Sequence, residues 1–128
     1  MAKLTPDQVK QRNVILGWDA DLNPDHGTIT NLRLDTLEAL VKAGFLDPED
    51  AQNASPTADE FMGFMEQYPA ITAHGYVIGA DREDARVTIE GIACDAEAVT
   101  ADMRDAFIEF ARSADEFQYK TDLYAWWD

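Results

Sequence analysis

A chain of 128 residues carrying 25 acidic and 10 basic side chains, for a formal net charge of −15, has the length of one domain and leaves little room for a second. Leu, Ile, Val and Phe make up about 22% of it, just above the range in which a highly charged chain stays disordered, so a globular fold is expected. The single cysteine, Cys94, excludes an intramolecular disulfide and a multi-cysteine zinc site, and the charge disfavours direct binding to nucleic acid or to anionic lipid.

The opening residues MAKLTPDQVK lack the apolar centre of a signal peptide, and no apolar run approaches the length of a membrane span; a soluble, cytoplasmic protein is expected. Thr5-Pro6-Asp7 is a helix start, and a short helix is predicted to reach Leu16 before Gly17. Trp18 to Thr28 is rich in Asp, Asn, Pro and Gly and reads as a structured loop. From about Asn31 to Ala43, Leu34, Leu37, Leu40 and Val41 recur at helical spacing, with Gly44 as the left-handed stop and Phe45 folding back. Asp47 opens a short acidic turn of helix ending near Asn53. Behind Pro56, Thr57 and Glu60 form a capping box ahead of Phe61, Phe64, Met65 and Tyr68, and Pro69 ends that helix. Ile71–Gly79 and Arg86–Cys94 are β-branched, alternating runs around a polar turn, which predicts a hairpin. Asp95 is read as the cap of a long helix from about Ala96 to Ala114, and Phe117 to Trp126 as a final strand.

The predicted class is therefore α+β: N-terminal helices and loops over residues 1–54, then α-β-β-α-β over 55–128, all in one domain. A right-handed crossover into the last strand would give a three-stranded, antiparallel or mixed sheet of order 2-1-3, with helices packed on one face. The arrangement resembles part of a ferredoxin-like fold, a likeness that carries no function. Strict alternation assigns Ile71, Ala73, Gly75, Val77, Val87, Ile89, Gly91 and Ala93 to the helix side. The other side receives Thr72, His74, Tyr76, Ile78, Thr88, Glu90, Ile92 and Cys94, joined by Gln118, Lys120, Asp122, Tyr124 and Trp126 from the last strand, whereas Trp127 points the opposite way. This aromatic, mixed side is neither a clean core nor a clean solvent face. Two readings follow: the first forty residues pack on it, or it receives a partner or a second copy of the chain.

Asp19, Asp21, Asn23 and Asp25 alternate as in the calcium loops of EF-hand and dockerin proteins, which they resemble; the match is imperfect, since the glycine and the twelfth ligand those loops need are out of place. A turn held by Asx side chains is the competing reading. His74 and Cys94 would share a side of the hairpin if its strands pair symmetrically, bringing a base near a thiol, but no oxyanion motif accompanies them. Asp102, Asp105 and Glu109 form an exposed acidic row on the last helix, spaced so that it could imitate successive phosphates.

Residues 1–54, 55–94 and 95–128 carry net charges of −4, −5 and −6, so the acidity is spread along the chain. An abundance of Asp with little Lys resembles proteins of salt-loving microbes, and salt adaptation is one explanation of the charge. The expected function is a small acidic module that binds another protein, a basic one, as an inhibitor, immunity or anti-defence protein does. Tyr76, Glu90, Tyr124, Trp126, Asp102, Asp105 and Glu109 are the expected contact residues, with homodimerisation open. No catalytic motif is recognisable and no cofactor is expected beyond the calcium reading. The rivals are a DNA-mimic inhibitor of a nucleic-acid enzyme, a calcium module and a salt-adapted domain.

Overall fold

A computed structural model describes residues 2–128. Helix α1, Pro6–Leu16, opens on a reciprocal capping box in which Thr5 and Gln8 satisfy each other's backbone N–H groups, and it closes at Gly17 in the left-handed conformation. Helix α2 covers Leu34–Ala43 and α3 covers Ala58–Gln67, the latter starting at the expected Thr57/Glu60 box. Helix α4, Ala101–Phe110, is shorter than predicted. Asp95 makes no side-chain cap; residues 96–98 form one 3-10 turn, the chain extends again at Val99, and Thr100 caps the helix by accepting from the Met103 N–H. The acidic stretch from Asp47 to Asn53 forms turns and no helix.

The sheet has five strands where three were predicted: β1 Gly27–Leu32, β2 Thr72–Val77, β3 Val87–Cys94, β4 Glu116–Gln118 and β5 Leu123–Trp126, in the order β1-β2-β3-β5-β4. Every neighbouring pair is antiparallel. The order 2-1-3 is corrected accordingly. The C-terminal strand lies beside the second strand of the central hairpin, because the chain leaving α4 turns through the β4–β5 hairpin and returns antiparallel to β3. The rule on parallel crossovers therefore has nothing to act on. The flank of β2 that the prediction gave to the last strand is taken by β1. That strand hides in sequence behind the turn-forming residues before it, and it pushes the start of α2 three residues later than expected.

Register explains how the sides of the sheet are filled. Across β2 and β3, Val77 pairs with Val87, Tyr76 with Thr88 and Gly75 with Ile89, but His74 pairs with Gly91 and Ala73 with Ile92, which leaves Glu90 as an extra residue. This bulge reverses the alternation of β3 beyond it. Ile92 and Cys94, assigned by strict alternation to the Tyr76 side, instead face the helices and join the buried core with Val87 and Ile89; Gly91 and Ala93 change sides in exchange. At the same place Gly75 lets the strands come together, since a Cβ there would lie 1.9 Å from the Thr88 carbonyl oxygen.

One continuous hydrophobic cluster takes in the helix side of the sheet (Ile29, Ala73, Val77, Ile89, Ile92, Leu123, Ala125) together with Leu37, Leu40, Phe61, Met65, Met103 and Phe107 from the helices. Trp127 belongs to it, and Trp126 does not. Leu4, Ile15, Leu16 and Trp18 pack against the same cluster. The first forty residues thus lie on the helix side, which overturns the reading in which they cover the Tyr76 side. The physical reason is continuity: β1 brings Ile29 and Leu32 to the helix side of the sheet edge, and α2 and α1 extend that apolar surface. No described helix is long and apolar enough to cross a membrane.

Candidate protein-binding face

With the helices on one side, the other side of the sheet carries Thr28 from β1, Thr72, His74 and Tyr76 from β2, Thr88, Gly91 and Ala93 from β3, Tyr124 and Trp126 from β5, and Glu116 and Gln118 from β4. Its centre is a stack of three rings. The imidazole of His74 crosses over Gly91 and lies between Tyr124 and Trp126, with centroids 5.1 and 4.9 Å away and planes within 13° and 6° of parallel. Tyr76 meets Trp126 edge-on at 5.7 Å. Only glycine permits this at position 91, because a Cβ would fall 2.0 Å from His74 Nε2 and 2.1 Å from the Ala125 carbonyl.

His74 is 4% exposed, and its Nε2 lies 2.9 Å from the Ala125 oxygen, which can only accept, so that nitrogen carries a proton and donates. Burial pushes its pKa down to about 4, against the opposing pull of the carbonyl. The centre of the face is therefore uncharged at neutral pH. Two carboxylates stand at its β4–β5 end. Glu116 pairs with Trp126 and raises the Tyr124 hydroxyl pKa alongside the larger effect of burial, and Asp122 accepts hydrogen bonds from Gln118 and Thr121. No lysine or arginine occurs at the strand positions of this face.

Of the expected contact residues, the structure brings together Tyr76, Tyr124 and Trp126. Glu90 is set apart from them. As the bulge residue it is 6% exposed, accepting from the Thr88 hydroxyl at 2.8 Å and from Asn53 Nδ2 at 3.4 Å. Burial raises its pKa, with the nearby carboxylates of Asp128 and Asp50 adding to the effect. Asn53 also donates to the Trp127 carbonyl, from a loop in which Asn53 and Ala54 both hold positive φ. Glu90 thus ties the α2–α3 loop to the sheet and offers little to a partner. Asp102, Asp105 and Glu109 lie elsewhere again, on the outer side of α4, whose inner side buries Met103 and Phe107. Glu109 is paired with Arg112 at 3.1 Å.

The Asp19–Asp25 loop is organised around a guanidinium. Arg12, 1% exposed, donates from Nη2 to Asp25 at 2.9 Å and also to the Asn13 side chain, while the other Asp25 oxygen accepts from the Ala80 N–H. These bonds hold the Asp25 carboxyl below its ordinary pKa, despite partial burial. Asp19 accepts from the Asp21 N–H, and Asn23 donates to the Asp19 carbonyl. Among the described residues no three His, Cys, Asp or Glu side chains form a group able to hold a metal ion. His74 and Cys94 are not brought together, since the Glu90 bulge sends Cys94 into the core, where burial raises its thiol pKa.

Gln118 and Asp122 complete the face, where alternation along the last strand also assigns them; Glu116 was not foreseen, because a single last strand beginning at Phe117 conceals the β4–β5 hairpin that brings it there. The polar stretch Tyr119–Asp122 between two aromatic runs is the signal that could have located that turn. Comparison of the chain with protein-family models, with curated proteins and with solved structures finds no match.

Proposed function

We propose that the protein is a binding module for a basic protein, and that the helix-free side of the sheet is the surface that receives it. The observation that carries this reading is the cluster of Tyr76, Tyr124 and Trp126 around a neutral His74, flanked by Glu116 and Asp122 and lacking any basic strand residue. Aromatic centres with a polar rim are what protein interfaces use for affinity. A cationic side chain from a partner would find the outer ring face of Tyr124 beside two carboxylates, a cation–π geometry completed by ion pairs. The surplus negative charge of the whole chain would accelerate encounter with such a partner. An inhibitor or immunity role fits a module that binds and blocks without chemistry of its own.

The test is affinity capture from source-cell lysate with the wild-type chain, with a face variant (Tyr124→Ser with Glu116→Lys) and with a control (Asp105→Lys), each with and without nuclease. The reading expects a basic protein retained by wild type and control, lost with the face variant, weakened by salt and unaffected by nuclease. Loss with Asp105→Lys instead, together with competition by nucleic acid, would favour the DNA-mimic reading through Asp102, Asp105 and Glu109. Retention of nothing at any ionic strength would defeat both. Salt adaptation is separated by the melting temperature in rising KCl, which climbs steeply only if relief of self-repulsion dominates.

A further inference from the structure

Arg12, in α1, buries its guanidinium almost completely and leaves it incompletely paired. Nε and Nη2 both donate to the Asn13 side-chain oxygen, at 3.1 and 2.9 Å, and Nη2 also reaches Asp25 at 2.9 Å. Nη1 is buried as well, and among the described residues it has no acceptor. An N–H group held out of water without a partner costs free energy that an entering oxygen would recover. Arg12 is on the wall of a cavity of about 70 Å³, which it shares with Asn13, Trp18, Asn23 and Asp25. A water needs about 10–15 Å³ of such space, so a planar group of a few heavy atoms fits. Asn13, Trp18 and Ala20 also border an open groove of about 510 Å³ at the end of α1, where Val14 stands 81% exposed. The Trp18 ring is fixed between the two spaces, since its indole N–H donates to the Pro24 carbonyl at 3.0 Å.

We propose that the cavity and the groove together bind a small neutral carboxamide carried on a flat apolar body. The amide oxygen accepts from Arg12 Nη1. The amide N–H donates to the Asn23 side-chain oxygen, which is left as an acceptor because Asn23 Nδ2 donates to the Asp19 carbonyl at 3.1 Å. The apolar body lies in the groove against Trp18 and Val14. Local charges select a neutral group over an ionic one. Asp25 already occupies the guanidinium at Nη2, and Asp19 lies on the groove wall, so a ligand carboxylate would meet two like charges. Arg12, together with Lys10 on the same groove, opposes an ammonium. A carboxamide supplies an acceptor to the one buried donor that lacks one and brings no charge out of water. The site needs nothing from the ring stack around His74.

The experiment is an NMR titration of the isotope-labelled full chain with three probes of one shape: benzamide, benzoate and acetophenone. Benzamide should shift the Trp18 indole N–H and the Arg12 Nε–H saturably, with a Kd of about a millimolar, the range open to a ligand of so few atoms. Benzoate has the same outline with a full charge, and acetophenone has the oxygen without the N–H; each should bind more weakly by about tenfold or more. Ala20 is exposed and borders both spaces. Ala20→Phe should therefore abolish the benzamide shifts with the circular dichroism spectrum retained, and Tyr124→Ser should leave them unchanged. Arg12→Met, which takes away the donor, should abolish them too, and Ala20→Phe carries the test if that chain does not fold. Shifts centred away from Trp18 and Arg12, equal affinity for benzoate or acetophenone, or benzamide binding that survives Ala20→Phe would overturn the proposal. No saturable shift with benzamide would leave the cavity to solvent and overturn it as well.

Discussion

The two sides of the sheet are built from the same five strands and obey opposite rules. On the helix side, side chains from every layer interlock, and Phe61 illustrates the result: it is fully buried, with its ring edge-on to Phe110 at 5.8 Å and to Trp127 at 5.4 Å. On the other side, rings stack on one another along β5 and across Gly91, with no helix above them. Close packing of the first kind serves stability, whereas aromatic groups ordered without a covering layer are preorganised for contact at little further entropic cost.

The difference can be tested in order of expected effect. Phe61→Ala on the covered side should lower unfolding free energy by about 3–5 kcal/mol in urea titrations, the range for emptying an aromatic core site. Gly91→Ala should cost about 3 kcal/mol, because its Cβ collides with both His74 and the Ala125 carbonyl. Adding His74→Ala should recover only part of that loss, since the backbone collision remains. A full recovery would mean that the ring stack, and not the β3–β5 pairing, was the strained partner.

His74 gives the open side a pH signature. Its folded pKa of about 4 lies below the ordinary 6.5, so the unfolded chain takes up the proton first as pH falls. The stability it supports is complete above pH 6.5 and is lost as pH drops towards 4, by about 2–4 kcal/mol in all. His74→Phe keeps a stacked ring without the titration, and its stability should lack this part of the acid decline. Glu90 has the reverse sign. Its raised folded pKa means that the ionised form is penalised at neutral pH, and the penalty fades as pH falls through that pKa. Glu90→Gln should therefore stabilise the protein by on the order of 1 kcal/mol at neutral pH, with the gain vanishing in acid. Smallest of all is Tyr124→Ser, expected to change stability by less than about 1 kcal/mol while removing partner binding. A loss of several kcal/mol from that change would assign Tyr124 to the core and dissolve the contrast.

How far the sequence foretold this depends on range. Local chemistry was legible: Thr5 with Pro6, Thr57 with Glu60, and the glycines after α1 and α2 mark helix ends through bonds spanning a few residues. The central hairpin was legible too, as was the pairing of Tyr76, Tyr124 and Trp126 on one side with Trp127 on the other. What failed was long-range or one residue wide. Nothing local distinguishes Gly27–Leu32 as a strand until β2 lies beside it. Asp95 offered a plausible cap, and Thr100 supplied the real one. Symmetric pairing of the hairpin missed the single extra residue that sets Glu90 apart and separates Cys94 from His74.

That extra residue makes the length of β3, more than its composition, the protected quantity. Many side chains could occupy position 90, but removing the position would swap inside for outside along the remainder of the strand, sending Ile92 and Cys94 into water and Ala93 against the helices. Shortening by one residue between Thr88 and Gly91 should consequently be tolerated far less than any exchange at Glu90 itself, and homologous chains that fold alike should keep the same count there even where their residues diverge.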